Sequence, residues 1–229
     1  IVYKVKGGLI MEKSKNITGF DFLWLALSTI AAFLFELLLV TVEGFLGISI
    51  YHATMFQMIA HWIVTSLGWL GLGFAIIALA KKQTGFDLLK TEKKTVSVWQ
   101  WLAVVLSFIL ITLVQYWDWK GFKILLEFQH LGWLKFLFQY IYYAAESFLI
   151  SLVLVFGQKA FETWFKNDKI PYGGILLGLT WGLMHILSKG SVLTGILTCL
   201  AGFLFGSVYL LVNKDYKKTL VIVTCLFML

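Results

Sequence analysis

Five ionisable side chains stand inside long apolar runs of this 229-residue chain: Glu36, Glu43, His61, Glu146 and His185. Charge is costly in hydrocarbon, so such residues usually face the interior of a helix bundle and mark sites by default. Two of them have the types that hydrolysis needs. A carboxylate can take a proton from water as a general base, and an imidazole can orient that water or stabilise the charge that develops. Glu146 lies 11 residues from Gly157, and His185 lies 13 residues from Tyr172. At 1.5 Å per residue these are depths of about 16 and about 20 Å from the same membrane surface, which agree within a helical turn. The sequence therefore allows the carboxylate and the imidazole to meet in one layer. Glu36 and Glu43 are seven apart and so share a helix face. Glu43 is near the end of its run, and His61 is six residues into the next. A structural or interfacial role is expected of Glu36, Glu43 and His61, and His130 is given no role. No cofactor is evident. Two candidate ligands fall short of the three or four protein ligands that zinc usually takes, which leaves a metal ion open.

The elements that must position these residues follow from composition. Of the chain, 60% is hydrophobic and 14% is charged, with one proline and two cysteines; a soluble domain carries about 25% charged residues. That excludes a disordered chain, a disulfide scaffold and a coiled coil, and it disfavours a soluble globule. The apolar runs are continuous rather than alternating, which speaks against a barrel. The expectation is a single all-α integral membrane domain over residues 1–229, a bundle of about seven helices plus an interfacial amphipathic helix. Residues 1–19 form a polar tail. The runs are Asp21 to Val42, read as an uncleaved signal anchor, then Met55 to Ala80, Val98 to Trp117, Leu134 to Phe156, Tyr172 to Leu187 and Val192 to Val212. A last run, Thr219 to Leu229, reaches only about 17 Å, so it either continues further or stops short of spanning. Residues 118–133 alternate Asp118, Lys120, Lys123, Glu127 and His130 with Phe122, Leu125, Phe128 and Leu131. That pattern, flanked by Trp117, Trp119 and Trp133, predicts the interfacial helix. Cys199 and Cys225 read as buried free thiols.

Every basic residue is lysine; there is no arginine. Fifteen of the 19 lysines fall in segments 1–19, 81–97, 157–171 and 213–218, and four fall between the other run ends. By the positive-inside rule this places the N-terminus in the cytoplasm. It also explains the net charge of +7 without a nucleic-acid partner. Gly174, Gly178 and Gly182 are spaced by four, and Gly202 and Gly206 repeat the spacing, which predicts close helix approach.

The stretch Tyr140 to Asn213 resembles the CAAX-protease and bacteriocin-processing family of intramembrane endopeptidases, the abortive-infection or self-immunity family. The family's motifs are Glu-Glu-x-x-x-Arg, then Phe-x-x-x-His, then a His-x-x-x-Asn type of motif. Here Ala145-Glu146-Ser147-Phe148-Leu149-Ile150 takes the first place and Trp181-Gly182-Leu183-Met184-His185 the second, 39 residues apart. The run Ile170-Pro171-Tyr172-Gly173-Gly174 is also similar to the family's. Ala145 and Ile150 stand where the family has glutamate and arginine, and Val221 to Met228 contains neither histidine nor asparagine. The resemblance implies a family-like core over about 134–229. It further implies a bacterial plasma membrane and a prenylated or other membrane-bound peptide or lipidated protein as substrate, with Glu146 activating water and His185 assisting. The alternative is a catalytically degenerate relative that acts as an immunity, scaffold or binding protein. Substrate and oligomeric state are not specified by the sequence.

Overall fold

The computed structural model describes residues 2–5, 8–11, 16–90 and 94–229. Of the lysines used above for orientation, Lys6, Lys13, Lys15 and Lys93 lie outside them. A two-stranded antiparallel hairpin, β1 Val2–Val5 and β2 Gly8–Met11, precedes the bundle. From Gly19 onward every regular element among the described residues is helical.

Helix α1, Gly19–Ala32, starts where Asp21 reaches back to accept the Thr18 backbone N–H at 2.8 Å, which satisfies a donor the helix leaves free. It breaks at Phe33 and resumes as α2, Leu34–Phe45. A short 3₁₀ turn, Ile50–His52, leads to α3, Met55–Thr84, which opens on a Thr54/Gln57 capping box and ends at Gly85 with φ 68°. Helix α4 is Val98–Trp119 and α5 is Lys123–Phe165. Gly132, with φ 71° and ψ 165°, divides α5 into a short arm, 123–131, and a long shaft, 133–165. Only glycine adopts that backbone conformation without strain. Helix α6, Tyr172–Leu177, runs through a π turn, Gly178–Gly182, into α7, Leu183–Lys189. Helices α8, Val192–Leu211, and α9, Tyr216–Met228, complete the chain.

Five of these segments are long and apolar enough to cross a membrane: Gly19–Phe45, α3, α4, α5 and α8. The chain is therefore compatible with an integral membrane protein. The α5 shaft is the hub. All residues from Ala145 to Gln158 are buried, and the shaft packs against α1, α3, α6 and α9. A helix apolar on every side belongs in the centre of a bundle. Helix α4 lies at the periphery, with one buried stripe at Val104, Ser107 and Ile111 and exposed apolar residues elsewhere. Lipid solvates such a surface as well as a protein core would.

Two details depart from the sequence reading. In the arm, Lys123 and Glu127 are buried while Phe122, Leu125 and Phe128 point outward. The helix is amphipathic as expected, but its charged face turns into the protein. Cys225 is exposed rather than buried, on an outward face of α9, and Cys199 is only partly buried. A thiol behaves as a small apolar group, so an outward position in an apolar surface costs little.

The fifth run is held at both ends. The buried Gln158 donates to the Ile170 carbonyl at 2.8 Å and accepts from Gly173 N at 3.1 Å, so the α5–α6 turn is pinned to the hub. On the other side, α6 and the π turn lie backbone to backbone on α8. A Cβ at Gly206 would come within 2.5 Å of Gly174 Cα, and one at Gly178 within 2.6 Å of the Cys199 carbonyl. The glycine groove predicted from spacing is thus the contact between these helices.

Candidate functional site

Glu146 lies in the buried stretch of the hub, next to Ala145, where a carboxylate needs a partner. Its Oε1 accepts the indole Nε1–H of Trp181 at 2.9 Å. Trp181 sits in the π turn, where the Leu183 N–H bonds to the Gly178 carbonyl five residues back instead of four. Such turns shift the register of a helix face and are frequent at functional sites. His185 lies one turn further on. Its Nδ1 is 2.9 Å from the Trp181 carbonyl, so Nδ1 carries the proton and Nε2 presents its lone pair. The Trp181 and His185 rings stand edge to face, with centroids 4.7 Å apart.

Glu146 and His185 are therefore both engaged by Trp181 and not by each other. No hydrogen bond or ion pair joins them among the described residues. Trp181 engages both, the carboxylate through its indole N–H and the imidazole through its carbonyl. On the far side of Trp181, Phe227 of α9 closes the wall, with ring centroids 5.7 Å from Trp181 and 5.3 Å from Tyr143.

A second polar group adjoins the first. Tyr142, one turn before Glu146 on the hub, donates to both oxygens of Glu36, at 2.9 and 3.0 Å. His61 lies between the two carboxylates of α2, with Nδ1 2.9 Å from Glu43 and Nε2 3.4 Å from Glu36. It is only 2% exposed. Glu36, Glu43 and His61 thus form one network that ties α2 to α3 and to the hub. The same-face spacing of the two glutamates was a signal for it.

The arm of α5 supplies a third group. Glu127 accepts from Tyr140 at 3.0 Å, Tyr143 at 2.8 Å and Gln139 at 3.0 Å, all from the shaft beyond Gly132. Gln139 also donates to the Tyr143 hydroxyl. Lys123 donates to the Phe227 carbonyl at 3.1 Å and lies over the Tyr143 ring at 4.8 Å. These contacts explain the inverted arm: a buried ammonium and carboxylate with partners are cheaper inside than an unpaired charge in an apolar surround.

No group of three or more His, Cys, Asp or Glu side chains among the described residues has the geometry of a metal site. The chemistry available is that of a buried carboxylate, an imidazole with an open Nε2, and tyrosine hydroxyls one turn away. Comparison with protein-family models, with curated proteins and with solved structures finds no match to this chain.

Proposed function

We propose that this chain is a bacterial plasma-membrane protein with the core of the CAAX-protease and bacteriocin-processing family, and that it binds a membrane-bound peptide or lipidated protein without hydrolysing it. An immunity or scaffold protein would act in this way. Its N-terminus is cytoplasmic. About seven helices cross or enter the bilayer, and the 123–131 arm lies at the far interface with Phe122, Leu125 and Phe128 in lipid.

One observation carries the reading: the Trp181 indole occupies Glu146 Oε1 and stands edge-on to His185. A general base needs a water in that place. The residues the resemblance expects to complete the reaction are also missing, with Ala145, Ile150 and an α9 free of histidine and asparagine. The second reading, an endopeptidase, is favoured by a different observation. Glu146 Oε2 and His185 Nε2 take no hydrogen bond among the described residues, so each keeps a lone pair for water.

The full chain in vesicles with a fluorescent farnesylated peptide separates the two. Saturable binding without product supports the binding protein, provided that Glu146→Gln leaves binding intact and Trp181→Ala weakens it. A cleaved product that disappears in Glu146→Ala replaces this reading with the endopeptidase. Absence of both binding and cleavage refutes the peptide site in either form.

A further inference from the structure

The arm of α5 hangs between two left-handed joints, Lys120 at φ 57° before it and Gly132 at φ 71° after it. A Cβ at Gly132 would meet nothing within 4 Å, so no neighbouring group clamps that joint. Hinges are a few residues at element ends that absorb backbone rotation, and these two stand in such places. Among the described residues, the two hydrophobic cores contain none from 120 to 136. The apolar side of the arm faces outward instead, through Phe122, Leu125 and Phe128.

What holds the arm down is polar. Glu127 takes three hydrogen bonds from the shaft, and Lys123 gives one to a carbonyl of α9. Swinging out returns both charges to interfacial water while the apolar side keeps its surroundings. The bonds made on closing are therefore offset by the water that two charges give up. A segment held in this way, with few buried apolar contacts, belongs to the low-stability part of a fold.

The arm lies on the wall of the Trp181 layer. The Lys123 ammonium sits 4.8 Å above the Tyr143 ring and 5.5 Å from the Phe227 ring. Phe227 packs on Trp181, and Trp181 donates to Glu146. A peptide that arrives along the interface on this side meets the arm first.

We propose that the 123–131 arm is a hinged lid on the Trp181 layer, held shut by Lys123 and Glu127, and that a membrane-bound peptide enters when the arm swings out on Gly132. The proposal rests on the reading of that layer as a peptide site. It makes the site self-inhibited, because the apparent affinity is the intrinsic one reduced by the open fraction.

Spin labels at Gln129 on the arm and Ser188 on α7, both exposed, report the arm by electron–electron distance measurement on the full chain in vesicles. Cys199 and Cys225 are replaced by alanine so that only these sites carry label. Wild type gives one narrow distance, and a farnesylated peptide brings in a second, longer one. Tyr140→Phe with Tyr143→Phe keeps both rings but takes two donors from Glu127. The open fraction then rises about tenfold, and the apparent affinity for the peptide rises by the same factor. Gly132→Ala strains the closed joint and shifts the distances the same way, which keeps the test alive if the tyrosine pair fails to fold. Leu125→Ala, on the outward side, changes neither readout. Unchanged distances in both the tyrosine and the glycine variants overturn the lid, whatever the peptide does. Opening with peptide affinity still measurable but unchanged also overturns it, because the arm then covers nothing that the peptide uses. Opening in the variants while no form binds peptide refutes the peptide reading and supports the hinge.

Discussion

Replacing Gly206 by alanine tests how the fifth run is held. A Cβ there would lie 2.5 Å from both Cα and N of Gly174 and 3.3 Å from Pro171 Cβ. Ordinary carbon contacts are about 3.5–4.0 Å, so the helices must part by about 1 Å. The obstacle is main chain on a neighbouring helix, and no side chain can rotate away to relieve it. Overpacking of this kind costs about 1–3 kcal/mol, and alanine's better helix propensity returns at most about 1. A net loss of about 1 kcal/mol is expected. Gly71 in α3 provides the contrast, because a Cβ there meets nothing within 4 Å. Gly71→Ala should be neutral or stabilising by up to about 1 kcal/mol. The two variants then differ by about 2 kcal/mol for the same chemical change. Unfolding in mixed micelles, followed by tryptophan fluorescence as the denaturing detergent fraction rises, measures both. Equal midpoints for the two variants would refute the backbone-to-backbone contact of α6 and α8.

His61→Ala removes one partner from each of Glu36 and Glu43 and should lower stability by about 1–3 kcal/mol in the same assay. His61→Gln should restore part of it, and an unchanged midpoint for His61→Ala would show that the network contributes nothing. Asp215 caps α9, accepting from Lys218 N at 3.1 Å and pairing with Lys218 Nζ at 3.0 Å. Burial pushes its carboxyl up, but the Lys218 hydrogen bonds and charge outweigh this and hold it below the ordinary value of 3.8. A depressed carboxylate stabilises the fold above its unfolded value and loses that contribution as pH falls through the folded one. Asp215→Ala should therefore cost about 1 kcal/mol at neutral pH. That gap should close only as pH falls below 3.8. A gap that persists in acid would remove the carboxylate from the cap.

Five candidate spans were legible because hydrocarbon demands continuous apolar sequence, while the runs over 172–187 and 219–229 fall on helices outside that set. The break at Phe33 was not legible, since both halves of that run are apolar and neither proline nor glycine marks it. The phase of the arm was equally hidden. Period fixes that Lys123 and Glu127 share a face, but only Tyr140, Tyr143 and Gln139, more than ten residues on, decide that this face turns inward.

The same distinction separates depth from meeting at Glu146 and His185. Rise per residue gives an expected depth for each residue. Whether the side chains touch depends on helix rotation, and rotation in the fifth run is set by two features that lack a local signal. One is the π turn, which adds a residue to the ring just before His185. The other is the Gly174–Gly206 and Gly178–Cys199 contact, which fixes the glycine face toward α8. Together they point Trp181 at the hub, and its N–H takes Glu146. In the sequence Trp181 is one more aromatic residue four positions before a histidine. In the folded chain it is the donor that decides what the carboxylate is free to do.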